Sequence, residues 1–198
     1  MIEPPAFSVL DRAREGYAPC AYRVLISGGH DSLACTSVAF AWAKERGVDL
    51  MAAHINTGTG VPETTEFVRS VCRDNGWPLR ELTPKPERDY RWFVKRFGFP
   101  GPGAHSFAYR YLKERQLDTL VREAKKHHRR RDRVMLITGV REQESQRRMG
   151  HVEPIQRQGG KLYVAPIWDW SKLDCNAWIK GAGLPRNPVV DILHMSGE

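Results

Sequence analysis

The six residues Ser27-Gly28-Gly29-His30-Asp31-Ser32 set two adjacent glycines between hydroxyls, with a carboxylate alongside. Glycine has no Cβ, so the backbone can turn sharply there and bring its N–H groups close to a ligand. The residues that follow, Leu33 to Arg46, carry a helical pattern that stops at Gly47. The first turn of such a helix presents free N–H groups and the positive end of its dipole. Glycine loop and helix N-terminus together suit the holding of phosphate or sulfate. The same residues also suit a plain strand-to-helix turn with Asp31 or Ser32 as N-cap. They do not form a Walker A loop, because no Gly-Lys-Ser/Thr follows at the required spacing.

A second group of candidates runs from Gly139 to Arg148. Gly139 permits close backbone approach, and Arg141, Arg147 and Arg148 can make bidentate contacts to phosphate or sulfate. Glu144 can orient one of these arginines or form a helix salt bridge. A third is the polar segment Asn56-Thr57-Gly58-Thr59-Gly60, which leads into helix-start chemistry at Pro62 and Glu63. Arg110 and Lys113 are further candidate anion contacts.

Tyr22, Val24, Leu25 and Ile26 form a short β-rich run ahead of the glycine loop, and Leu50 to Ile55 is a second apolar run. Strand, helix and strand with short connections make a right-handed βαβ unit. The fold class predicted is therefore α/β, a doubly wound and mainly parallel sheet with helices on both faces. Ligands in such sheets bind beyond the carboxyl ends of the strands, where Ser27 and Asn56 both fall. Leu79–Leu82, Val134–Thr138 and Lys161–Ile167 read as further strands. The helix from Pro62 to Gly76 carries Phe67, Val68, Val71 and Cys72 as a core stripe. A long helix is predicted over 105–126, with Phe107, Tyr111, Leu117, Leu120 and Val121 towards the core. Ser171 reads as an N-cap with Asp174 at N3. The chain, 1–198, is expected to be a single domain, in which residues 1–21 cap the sheet edge and 84–133 supply a lid and a basic helix.

Composition narrows the function classes. The chain has 198 residues and a formal charge of +8, a field that favours polyanions such as a nucleotide or a nucleic acid. Part of that charge lies in Lys125 to Arg133, which suits either nucleic acid or a solvated helix end. No apolar run reaches the length of a membrane span and no signal-peptide core opens the sequence, so a cytoplasmic location without membrane contact is expected. Cys20, Cys35, Cys72 and Cys175 form neither a CxxC pair nor a metal-ligand cluster, so no metal site is predicted. Reduced thiols are expected, with Cys35, Cys72 and Cys175 as small buried hydrophobes. The oligomeric state is left open.

Ser27 to Ser32 resembles the SGGxDS PP-loop of the adenine nucleotide alpha-hydrolase superfamily, which includes the ATP pyrophosphatases and the phosphoadenosine phosphosulfate (PAPS) reductases. Four more segments resemble the reductase family in family order. Asn56 to Thr64 is similar to "DTG…PET", with Asn56 where an aspartate is common. Gly139 to Arg148 is similar to "GxRxxES…R", Pro166 to Trp178 to "PI-DWS-xxD-W", and Gly183 to Pro188 to "GLPxNP". The resemblance covers about Arg23 to Pro188. It implies a Rossmann-like fold that binds PAPS, adenosine phosphosulfate or ATP, the last with magnesium. The implied nucleotide contacts are Ser27, Gly28, Gly29, His30, Asp31, Ser32, Asn56, Thr57, Gly58, Gly139, Arg141 and Arg147. It further implies an oxidoreductase of sulfur metabolism with a thiol reductant such as thioredoxin. Paired cysteines are missing where cluster-bearing reductases place them, so no iron-sulfur cluster is expected.

These reductases attack the sulfate sulfur with a cysteine near the C-terminus. Here no cysteine follows Cys175 before the sequence ends at Glu198. Either a cysteine-bearing tail is truncated or the reductase chemistry is absent. The alternatives are an ATP-pyrophosphatase-type enzyme that adenylates an acceptor in nucleic-acid modification or sulfur transfer, and a non-catalytic nucleotide- or nucleic-acid-binding module.

Overall fold

The strands β1 (Ala21–Leu25), β2 (Leu50–Ile55), β3 (Leu79–Leu82), β4 (Val134–Ile137), β5 (Ile155–Gln158) and β6 (Lys161–Val164) join in one sheet of order β3-β2-β1-β4-β6-β5. The computed structural model describes residues 4–101, 105–125, 131–143 and 153–193. Every pairing is parallel except that of β5 with β6. The order reverses at β1, whose neighbours are β2 and β4, and that switch point is where doubly wound sheets leave a crevice for ligand. The predicted sheet class is the one observed.

The parallel strands divide their side chains between two cores. On β4, Met135 and Ile137 join one cluster while Val134 and Leu136 join the other, all four fully buried. Both faces of a parallel strand are covered, so its sequence reads as an unbroken apolar run. The first face carries α1 (Pro5–Tyr17), α2 (His30–Arg46), α3 (Pro62–Asp74) and α7 (Lys172–Gly181). The second is covered by α6 (Arg115–Ala124), through Leu117, Leu120, Val121 and Ala124. Helices thus lie on both faces.

Several local expectations are met. Pro62 starts α3 and Glu63 sits in its first turn. Ser171 and Asp174 form a reciprocal capping box at α7. Cys35, Cys72 and Cys175 are buried. Others are corrected. The N-terminal segment does not sit on the sheet edge: Ala6, Phe7, Leu10 and Ala13 bury α1 on the first face. Its apolar residues recur at helical spacing, and that stripe gains more by covering the sheet than by edging it. The segment after β3, where a lid is expected, includes regular structure. It contains a 3-10 turn (Pro86–Arg88) and α4 (Tyr90–Phe97), which Asp89 caps by accepting from the Trp92 amide at 2.7 Å.

The predicted helix over 105–126 is not uniform. It consists of α5 (His105–Tyr109), a π-helical turn (Arg110–Glu114) and α6. Tyr111 faces an aromatic cluster with Phe93, Phe97 and Phe107, whereas Leu112 and Leu117, five residues apart, are buried. The wider turn adds the residue needed to move the apolar stripe from the aromatic cluster to the sheet. Strand β5 was not foreseen. Its sequence, IQRQ, has no strand alternation, and it forms because the Gly159-Gly160 turn folds it back on β6. The helix α8 (Pro188–Leu193) follows the 183–188 turn.

Candidate anion-binding site

The glycine loop leaves the carboxyl end of β1 and enters α2, with Gly29 as the N-cap residue. Its shape is set from inside. The Gly28 carbonyl accepts from Asn187 Nδ2 at 3.0 Å, and Asn187 is 2 % exposed, held by its Oδ1 accepting from the Val189 amide at 3.0 Å. The peptide between Gly28 and Gly29 is trans, so anchoring its carbonyl towards the core turns the Gly29 N–H the opposite way, to the rim. Among the described residues, no acceptor pairs with the amides of Gly28 or Gly29. The first three residues of α2 add amides that an α-helix leaves without an intrahelical acceptor.

Gly28 has φ +86°, and a Cβ there would stand 2.7 Å from Thr64 Cγ2. Only glycine fits on both counts. The serines fasten the loop to itself. Ser32 Oγ accepts from the Ser27 amide at 3.2 Å, lies 3.1 Å from Ser27 Oγ, and donates to the Gly29 carbonyl at 2.8 Å. Beneath it, the buried His54 bonds the Ile26 carbonyl through Nδ1 at 2.9 Å and lies 3.4 Å from Thr65 Oγ1. His30 is the first residue of α2 and is half-buried.

The second candidate group meets the first here. A Cβ on Gly139 would lie 2.6 Å from the Asp31 carbonyl oxygen, so the end of β4 rests directly on the start of α2. Arg141 Nε donates to Asp31 Oδ2 at 2.8 Å and its Nη1 reaches the Trp170 carbonyl at 3.4 Å. The Arg141 side chain is 6 % exposed, which makes it a brace between the loop and the segment before α7. Cys175 also lies beside Asp31. Burial, with the Asp31 charge adding to it, pushes its thiol up to about 12. A fully buried thiol of that kind is not a nucleophile.

Asn56 faces its own loop. Its Oδ1 accepts from the Gly58 amide at 3.0 Å and its Nδ2 donates to Glu81 at 3.1 Å. Thr57 Oγ1 and Thr59 Oγ1 are 2.7 Å apart. Lys113 stands with Leu25, Ile26, Ser27, Ile55 and Tyr109 around a niche of about 170 Å³ at the rim. Arg110 lines a neighbouring cavity of about 700 Å³ that shares Leu25, Tyr109 and Leu117 with it. Arg147, Arg148, Glu144 and residues 126–130 of the basic run lie outside the described residues. Among the described residues, no three His, Cys, Asp or Glu side chains are grouped as metal ligands.

Sequence reasoning overlooked Asn187, Thr64 and His54. The GLPxNP and PET segments held the first two but were read only as turn and helix start. A buried asparagine under a glycine loop becomes visible only when residues 159 apart in sequence meet.

Among solved structures, the chain is similar to the PAPS reductase of Candida auris in its phosphate complex, with a TM-score of 0.66 and 21% identity over 96% of this chain and 85% of that one. It is similar to the FMN adenylyltransferase of Candida glabrata with FAD and inorganic pyrophosphate (TM-score 0.60, 12% identity), covering 93% of this chain and 58% of that one. The U34-tRNA thiolase NcsA of Methanococcus maripaludis, with its [4Fe-4S] cluster, is likewise similar (TM-score 0.60, 12% identity, 91% of this chain and 64% of that one). The chain therefore spans less than two thirds of the latter two proteins. None of the curated proteins matches its sequence. At these identities the likenesses establish a shared fold, while the sequence profile of the phosphoadenosine phosphosulfate reductase domain matches residues 21–193. The chain belongs to the phosphoadenosine phosphosulfate reductase domain family, within the adenine nucleotide alpha-hydrolase-like superfamily.

Proposed function

We propose that this domain binds an adenine nucleotide carrying a phosphosulfate, PAPS or adenosine phosphosulfate, and presents its sulfur to a thiol. The observation that carries this reading is the Gly28–Gly29 peptide, whose carbonyl is tied inward by Asn187 so that the following amide points to the rim. Oriented amides at a helix N-terminus are the donors that a phosphate or sulfate takes. The niche beside Ser27, floored by Leu25 and Ile55, suits an apolar purine face, and Lys113 stands where it can offset phosphate charge. Arg141 acts as a positioning residue, because its guanidinium is engaged by Asp31. On the family resemblance, Arg147 and Arg148 are candidates for the outer anion contacts.

In the reductive step a thiolate attacks the sulfate sulfur, the sulfur–oxygen bond to the phosphate breaks, and the adenosine phosphate departs with that electron pair. A second thiol then attacks the thiosulfonate, releasing sulfite and leaving a disulfide. None of the four cysteines suits the first attack: Cys35, Cys72 and Cys175 are buried, and Cys20 precedes β1 at the opposite end of the sheet from the loop. The attacking thiol therefore comes from a donor other than these four, such as thioredoxin.

The same oriented amides also suit a second reading, in which the loop holds the pyrophosphate of ATP with magnesium and an acceptor is adenylated. Thermal unfolding with PAPS, adenosine phosphosulfate and ATP–magnesium separates the two. A bound nucleotide at a hundredfold its dissociation constant stabilises the fold by about 2.7 kcal/mol. Stabilisation by a phosphosulfate, with sulfite released once a dithiol protein is added, is the expected result. Stabilisation by ATP alone, with pyrophosphate release, selects the second reading, and no response to any of the three overturns both.

A further inference from the structure

Away from the glycine loop, a cavity of about 710 Å³ lies between edge strand β3, the segment that follows it, and α6. Arg80, Lys85, Arg88, Arg115 and Arg122 line it. Of the three carboxylates there, two are already neutralised. Arg69, from outside the cavity, binds Glu81 at 2.8 Å, and Arg80 binds Glu123 through two contacts of 3.1 and 3.0 Å. Lys85, Arg88, Arg115 and Arg122 are exposed, and none of them forms an ion pair with a described carboxylate. The cavity therefore holds more positive charge than its own carboxylates balance.

Two further features indicate the ligand's shape. Arg115 and Arg122 are seven residues apart on one helix, about 10 Å at 1.5 Å per residue, too far for a single phosphate to bridge. The cations are thus strung along a groove rather than gathered at one focus. At one end the Arg115 guanidinium carbon sits 3.7 Å above the centre of the Tyr111 ring, which itself stacks on Trp92 with centroids 5.6 Å apart and 16° between planes. Planar layers of arginine and aromatic rings are surfaces on which unpaired bases stack, whereas an acidic peptide has no use for them.

We propose that this groove binds single-stranded polynucleotide, with phosphates along Lys85, Arg88 and Arg122 and a base against the Tyr111–Arg115 layer. The carboxyl end of β3 lies on the same rim as the glycine loop and two strands from β1, about 10 Å at ~4.8 Å per strand. One end of a bound strand therefore lies near the loop, although binding in the groove does not depend on what the loop holds.

The test is fluorescence anisotropy of a labelled twelve-nucleotide single-stranded RNA with the 198-residue protein across a salt series. The same sequence as DNA, an RNA duplex and a poly-glutamate peptide serve as further probes. Single-stranded probes should bind at low salt more tightly than the duplex or the peptide, and the RNA–DNA pair reports whether the 2′-hydroxyl is read. The triple variant Lys85→Ala/Arg88→Ala/Arg122→Ala should weaken binding and flatten the log–log salt slope by about 2, at roughly 0.7 per lost phosphate contact. Tyr111→Leu should weaken single-strand binding while leaving that slope unchanged. Ser27→Ala, at the glycine loop, should leave RNA affinity as it was, so a failure of the nucleotide reading and a failure of this one are told apart. Each variant's far-ultraviolet circular dichroism and unfolding temperature confirm that it is folded. Absence of binding overturns the proposal. So does binding that the folded triple variant retains in full, and so does equal binding of the peptide.

Discussion

Gly139 has no room for a methyl group. A Cβ there would stand 2.6 Å from the Asp31 carbonyl oxygen and 2.8 Å from the Ser32 amide nitrogen, both backbone atoms at the start of α2. No side-chain rotation relieves such a contact, so either β4 or the glycine loop must shift. Gly139→Ala should cost about 1–3 kcal/mol, the usual range for overpacking, and should weaken nucleotide binding because the displaced atoms belong to the loop. Urea unfolding read beside nucleotide-induced thermal stabilisation checks both effects. An unchanged loop affinity in the folded variant would show that the contact between β4 and α2 does not position the site.

At the scale of elements, α1 and α2 are joined by one carboxylate. Asp11 accepts from Trp42 Nε1 at 2.8 Å and pairs with Arg46 at 2.9 Å. Burial works against its ionised form, yet hydrogen bonds from Arg46 and Trp42 outweigh it and hold the carboxyl below its ordinary value. A carboxyl with a depressed folded pKa adds stability that is present above its unfolded value, near 3.9, and is lost as pH falls through the folded one. The stability difference between the wild type and Asp11→Asn should be constant from pH 8 to about 5 and shrink below about pH 4. Equilibrium unfolding at a series of pH values measures it. A difference that grows as the solution is acidified would contradict the assignment. The tie keeps α1 on the helix whose first turn carries the loop, so its loss also loosens the support beneath the site.

Across the whole molecule, the two cores share one sheet. Met135 and Leu136 are adjacent on β4 and fully buried, the first in the cluster under α2 and the second in the cluster under α6. Met135→Ala and Leu136→Ala should each cost about 2–5 kcal/mol. Because both faces depend on the same strand, each variant should lower a single transition rather than split it. Coincident unfolding curves from circular dichroism and tryptophan fluorescence check this. Separate transitions would mean that the faces unfold as independent units. The net charge of +8 acts at this scale too, drawing anions to a surface that offers the glycine loop at one place and the arginine groove at another.

The local pattern fixed β2 and β3 to the residue, the other parallel strands to within a few residues, and the glycine turn with its following helix. Those features arise from short apolar, β-rich runs, from glycine's freedom and from helix-start chemistry, which act between neighbours along the chain. The family resemblance was legible for the same reason, since its motifs are short and contiguous. Strand β5 was not legible, because IQRQ becomes a strand only where β6 offers it an edge. Nor was the π turn, which answers to an aromatic cluster drawn partly from α4. Tertiary structure alone decided which way the loop faces. Asn187 and Gly28 are 159 residues apart, and the hydrogen bond between them orients a peptide plane that no local rule constrains. It likewise assigned Arg141 to Asp31. A guanidinium taken out of water gains most from the nearest carboxylate, and which carboxylate is nearest depends on how the strands and helices stack.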